Sequence, residues 1–169
     1  PFVSDEIFDA ILVVGDDAPS SDVLAATDIA TKLQTLVNDR LPDTHLASEV
    51  SDPYAQNLIL VGNGCNNALS AEVMGNPSDC YEGIEEGTGR ITLYTVQGIT
   101  AIVIDGKTSD DVRKAARVLA QYDNFLLVDA QIIIGGTIDS PRVLAPDEEV
   151  VIVPAVVEDD LCERSEECA

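Results

Sequence analysis

A glycine-rich turn, two cysteines and a set of strand-end carboxylates are the residues of this chain whose types could do chemistry. The turn is Gly62-Asn63-Gly64. It follows the apolar run Leu58-Ile59-Leu60-Val61 and leads into a helix-like segment over 66–73. A strand feeding such a turn and then a helix is where phosphates often bind, because backbone N–H groups at the helix N-terminus point at the anion. Here the sequence argues against it. There is no G-x-G-x-x-G and no G-x-x-x-x-G-K-S/T. No basic residue stands between Asn57 and Gly89, and an anion would face Glu72, Asp79, Glu82, Glu85 and Glu86. Gly62 and Gly64 are instead expected to supply positive φ at a tight strand-to-helix turn. Gly106-Lys107-Thr108 fails as a phosphate loop too, because a strand, Ile102 to Asp105, stands where the upstream glycine should be.

Cys65 and Cys80 have no second Cys or His close to either, which is poor spacing for zinc. No Lys, Arg or His near in sequence would activate a thiol. A disulfide closing the helix and its exit loop is the better reading, worth about 3 kcal/mol for a loop of about 15 residues in the chain-entropy model. Cys162 and Cys168 would then form a second, tighter bridge. Four cysteines allow three pairings, and the sequence does not choose among them.

The carboxylates lie at expected strand ends. Asp16, Asp17, Asn63, Asn66, Asp105 and Lys107 would converge at the carboxyl ends of the strands, where α/β sheets hold ligands. Asp16 and Asp17 are the candidate metal residues, since hard divalent cations such as calcium take oxygen ligands. That reading makes the chain a metal- or ligand-binding α/β domain or an enzyme. The competing reading is that these groups cap helices and turns. His45, the only histidine, has no nearby cysteine or carboxylate triad partner and reads as a surface residue.

The elements that would position these groups follow from periodicity. Asp9 to Val14 reads as a buried parallel-type strand. Ser20 or Ser21 can cap the next helix. Val23, Ala26, Ala30, Leu33 and Val37 give that helix an apolar stripe at spacings of three and four. Strands are expected at Leu58–Val61, Ile91–Val96 and Thr100–Asp105. Thr108 is the expected cap of a second helix, from Ser109 to about Tyr122, with Asp110 and Asp111 in its first turn. Arg113, Lys114 and Arg117 form the basic cluster of this helix, read either as a solvated face or as a patch for an acidic neighbour. Residues 125–134 read as strand-rich, and 140–144 and 149–157 as extended. The fold class is α/β, a mostly parallel sheet flanked by helices, with extra C-terminal extended strands and a disulfide-stapled acidic tail. An N-terminal arm is expected over 1–8, the α/β domain over 9–139 and the extended strands and tail over 140–169.

Charge bounds the partners. The chain of 169 residues carries 31 acidic and 9 basic residues, a formal net charge of −22. Nucleic acid and anionic membranes need cationic surface, so neither is an expected partner. Salt or divalent cations would relieve the self-repulsion. No run reaches the ~20 apolar residues of a membrane helix. The absence of an initiating Met at Pro1 suggests a processed product, and paired cysteines would place it outside the cell. Val150, Val151, Ile152, Val153, Val156 and Val157 make an apolar segment that could add as a strand to a neighbour's sheet. Pro154 confines it to an edge or inter-subunit position.

Several motifs resemble a family when taken in order. They are the strand and G-D-x-A-x-S-S-D at Leu12 to Asp22, N-L-I-L-V-G-N-G-C-N at Asn57 to Asn66, G-N-P-S-D-C at Gly75 to Cys80, G-T-G-R-I-T-L at Gly87 to Leu93, and S-D-D-V-R-K-A-A-R-V-L-A at Ser109 to Ala120. Together they resemble the α/β domains of archaeal surface-layer (S-layer) proteins, over roughly residues 9–134. The resemblance implies a non-enzymatic structural subunit on the outside of the cell that self-assembles into a coat or filament. It carries over no catalytic residue. Such proteins are usually several times longer, with further domains and an attachment to membrane or wall, so this sequence is expected to be either one such domain used alone as an assembling subunit or a fragment of a larger protein.

Overall fold

The computed structural model describes residues 2–4, 7–37 and 42–145. Within them the chain forms an α/β fold, a seven-stranded mixed sheet with three α-helices. The strands are β1 (Val3–Ser4), β2 (Ile7–Phe8), β3 (Ala10–Val14), β4 (Thr44–Leu46), β5 (Asn57–Val61), β6 (Gly89–Val96), β7 (Ile99–Gly106), β8 (Gln131–Gly136) and β9 (Pro141–Val143). The helices are α1 (Ser20–Gln34), α2 (Ala68–Val73) and α3 (Ser109–Ala120). Cys162, Cys168 and the apolar segment with Val150, Val151, Ile152, Val153, Val156 and Val157 lie outside the described residues.

The main sheet runs β4-β3-β5-β7-β6-β8-β9. Its first four strands are parallel to one another, and the pairs β7–β6, β6–β8 and β8–β9 are antiparallel. The parallel half is the part that the continuous apolar runs foretell. Strands covered on both faces cannot alternate apolar with polar. Leu12, Val14, Ile59, Val61 and Ile104 face α1 and α3. Ile11, Val13, Leu58, Leu60, Ala101 and Val103 face the other way, towards Leu69 and Val73 of α2 and Ala47. The β6–β7 hairpin closes through Gln97 and Gly98, whose φ values are +48° and +89°. Two consecutive positive φ values in a two-residue loop match the right-handed twist of the strands it joins.

Several local expectations are corrected. The expected stripe of α1 fails only at Val23, which is 47% exposed: Ala26 and Val37 are buried and Ala30 and Leu33 pack on the core, with Asp22, Ala25 and Ile29 buried beside them. Alanines at 25 and 26 meet Ala115 and Ala116 of α3 in one core cluster, and small side chains there let helices and sheet approach closely. Neither Ser20 nor Ser21 caps α1; the cap position is Pro19, with no side-chain bond. Thr108 does cap α3. Residues 125–130 are not strand. Phe125 and Leu127 pack against the helical core instead, and β8 begins at Gln131. The expected N-terminal arm carries a short hairpin. Val3–Ser4 pairs antiparallel with Ile7–Phe8, and Phe2 and Phe8 pack on the core.

Candidate functional site

The seam between β3 and β5 is where the strand order reverses. From β3 the chain goes to β4 on one side, and from β5 it goes to β6 and β7 on the other. In open α/β sheets, ligands bind outside the carboxyl ends of the strands at such a point. Here that crevice is filled by the chain itself. The Asn67 side chain donates from Nδ2 to the carbonyls of Val13, at 3.2 Å, and Val61, at 3.0 Å, joining the ends of the two strands. Its Oδ1 accepts from the N–H groups of Leu69 and Ser70 and so caps α2. The Asn66 carbonyl sits against Gly15, where a Cβ would collide with it. Gly15 is therefore required by close approach of backbone.

The stitching continues along the same edge. Asn63 donates from Nδ2 to the Gly106 carbonyl at 2.8 Å, linking the end of β5 to that of β7, and accepts from Cys65 N–H at 3.0 Å. Gly62 has the expected positive φ, +106°. Gly64 does not. It is crowded by Ala71 and Met74, each 3.3 Å from the place of a Cβ. Arg90 then joins β6 to β7 by donating two buried hydrogen bonds to the Asp105 carboxylate, and burial lifts the Asp105 carboxyl above its ordinary value against the pull of Arg90. Arg90 also donates to the Glu82 carbonyl at 3.3 Å. Glu82 belongs to the 74–88 loop. That loop is anchored a second time by Lys114, which donates to the Gly87 carbonyl at 2.7 Å, and a third time by the Cys65–Cys80 disulfide. The disulfide is the pairing the spacing favours, with Cα atoms 5.4 Å apart.

The two candidate metal residues both lie in the turn after β3. Asp16 is exposed and accepts from the Ser48 N–H at 3.2 Å and from its hydroxyl. Asp17 is exposed, as is Lys107. Asn63 and Asp105 are buried and already bonded. Among the described residues no group of three or more His, Cys, Asp or Glu is placed to hold a metal ion. His45 lies half-buried on β4, at the edge of the sheet.

Two members of the α3 basic cluster, Lys114 and Arg117, bond within the chain. Lys114 is buried, paired with Asp111 at 2.8 Å. Arg117 donates to the Ile138 carbonyl at 2.8 Å and to Asp139 at 3.0 Å. A solvated face is the wrong description of a lysine whose ammonium reaches a carbonyl 27 positions away.

Asp22 is the group the sequence reading passed over. It is 0% exposed, and neither carboxylate oxygen has a hydrogen-bond partner. Burial pushes its carboxyl up to about 6. It lies at the seam: a Cβ on Gly62 would be 3.2 Å from Asp22 Oδ2. Its counterpart in α3 is Asp111, three residues beyond the cap. Asp111 accepts from the N–H and hydroxyl of Thr108 and pairs with Lys114. At the equivalent positions Asp22 has Pro19, which has no N–H, and Ala25, which has no charge.

No protein-family model matches this chain. No curated protein matches its sequence. The geometry itself therefore carries the reading: amides and one ion pair lock the strand ends that would otherwise open onto a ligand. Among the described residues, no helix is long and apolar enough to cross a membrane.

Proposed function

We propose that this protein is an extracellular structural subunit that assembles with copies of itself into a surface layer or filament, with terminal strands exchanged between subunits. One observation carries the reading. The crevice where this topology would hold a small molecule is occupied by Asn66 and Asn67, which tie β3 to β5. A ligand would have to break those bonds and unpair two buried carbonyls. The resemblance to archaeal surface-layer domains points the same way, and the Cys65–Cys80 bridge suits an oxidising exterior. Divalent cations such as calcium are proposed to bridge carboxylates between subunits, because a net charge of −22 otherwise opposes their approach. Negative-stain microscopy of the purified chain in salt and calcium tests this. Ordered polymers that dissolve on chelation or desalting are the expected result, and single particles under every ionic condition would end the proposal.

A second reading, a ligand- or metal-binding domain or enzyme, has one observation in its favour: the unpartnered Asp22 carboxylate at the seam. A calcium titration followed by thermal unfolding decides it. Saturable stabilisation that the Asp22→Asn variant lacks would support this reading over the first.

A further inference from the structure

The first turn of α1 closes over a carboxyl group that it does not satisfy. Asp22 stands in that turn, fully buried, with neither carboxylate oxygen bonded. It lies against Gly62, where a Cβ would come within 3.2 Å of its Oδ2. An acid at the third helical position can reach back to the N–H of the cap residue, as Asp111 does to Thr108, but Pro19 has no N–H to offer. No charged side chain makes up for it. The strands on which α1 packs, β3 and β5, carry no titratable group. On α3, Asp111 pairs with Lys114 and Arg117 with Asp139, and Asp105 at the end of β7 is held by Arg90. The remaining charges around it are Asp110 and Arg113 of α3 and the exposed Asp16 and Asp17 of the turn after β3. Burial lifts the Asp22 carboxyl to about 6 with no contribution from any of these charges. A carboxyl group so placed either keeps its proton or moves into water.

We propose that the first turn of α1 is a pH-sensitive latch: it stays closed on the β3–β5 seam while Asp22 carries a proton, and opens, bringing the carboxylate into water, once that proton is lost. The latch is independent of the self-assembly reading. No side chain caps the turn, and its backbone bonds run from the N–H groups of Asp22 and Val23 to the single carbonyl of Pro19, at 2.9 and 3.3 Å. The part that moves is bounded on both sides. Asp16 accepts from the Ser48 N–H before it, and Ala25 is fully buried in the core after it. Opening is therefore a local event that leaves the rest of α1 in place. It uncovers the Gly62 turn at the carboxyl end of β5. The closed turn keeps its proton to higher pH than the open one, so opening grows as pH rises and levels off once the closed carboxyl has ionised as well.

The test is amide hydrogen exchange on the full chain, resolved at individual residues, with a chelator present so that no cation answers for the carboxylate. Each rate is divided by that of an unstructured amide at the same pH. From about pH 3.5 to about pH 7.5, opening at Asp22 and Val23 is expected to rise about a hundredfold, most of it below about pH 6.5. Val112 is the matching first-turn amide of α3, bonded to the Thr108 carbonyl, and its opening is expected to stay unchanged because Thr108 and Lys114 hold Asp111. Asp22→Asn has no proton to lose and is expected to open equally at every pH. A native profile that stays flat at Val23 would overturn the latch. So would a rise at Val112 in step with Val23, which would mean that the whole fold loosens, and so would a rise that persists in Asp22→Asn. If Asp22→Asn does not fold, the contrast between Val23 and Val112 in the native chain decides alone.

Discussion

Arg90 and Asp105 are register partners on β6 and β7, and they share two bonds, Nε to Oδ1 at 2.9 Å and Nη2 to Oδ2 at 2.6 Å. Both are buried. Removing one partner leaves the other charge stranded in the interior, which costs roughly 3–5 kcal/mol. Arg90→Met alone should therefore lower stability by that amount in urea unfolding. Replacing both, Arg90→Met with Asp105→Leu, should recover most of the loss. If the double variant is as unstable as the single one, the pair is not the coupled unit described here.

Asn67 makes a separate prediction, because its two ends do different work. Asn67→Asp keeps the oxygen that caps α2 but loses the amide that bonds Val13 and Val61. Asn67→Ala loses both. A lost cap costs about 1 kcal/mol, and each buried carbonyl left unpaired about 1–3 kcal/mol. Urea midpoints should thus fall for both variants, most of the loss appearing already in Asn67→Asp. A near-neutral Asn67→Asp variant would mean that the seam is not held by this amide.

Asp22 gives a pH dependence with a definite sign. Burial raises its carboxyl from 3.8 to about 6. Between those values the folded chain keeps a proton that the unfolded chain has lost, so the contribution of Asp22 to stability falls as pH rises through that window. Above about pH 6 the cost is complete and amounts to about 3 kcal/mol. Asp22→Asn has no charge to bury. Its stability relative to the native chain should rise by this amount from about pH 3.5 to about pH 7.5. A difference that stays flat with pH would show that Asp22 finds a partner in solution.

The disulfide closes residues 65–80, including α2 and the start of the loop over Arg90. Cys65→Ser with Cys80→Ser should cost about 3 kcal/mol in the chain-entropy account. Proteolysis should then cut first within 74–88, because the remaining anchors, Arg90 and Lys114, hold only the far end of that loop. Unchanged proteolysis would mean that the two cations suffice.

How much of this could be read beforehand depends on how local the cause is. The buried strands could, because apolar runs such as Leu58–Val61 are covered on both faces. So could the Thr108 cap, set by a spacing within one segment, whereas Cys65–Cys80 was one of three pairings that the sequence left open. The start of the inward face of α1 was misread, because Val23 outranks Ala25 in hydrophobicity, whereas the close approach of α3 selects the smaller residue. Lys114 and Arg90 act on carbonyls of a loop whose path no periodicity records. Asp22 was visible only in part. Ser21-Asp22 and Ser109-Asp110 place an acid in the first turn of each helix, but the lack of partners of Asp22 follows from Pro19 and Ala25 standing where α3 has Thr108 and Lys114. The register that joins Arg90 to Asp105 needed the β6–β7 hairpin, whose Gln97-Gly98 turn is a weaker signal than Asn-Gly.

Sedimentation velocity in salt and calcium, on the full chain beside one lacking residues 148–169, tests the central claim most directly. The full chain should sediment as large assemblies with a midpoint set by protein concentration, and the shortened chain as a folded single particle with an unchanged far-ultraviolet spectrum. Ordered assemblies formed equally well by the shortened chain would contradict exchange of the terminal segment, and a full chain that sediments alone at every concentration would contradict the structural role itself.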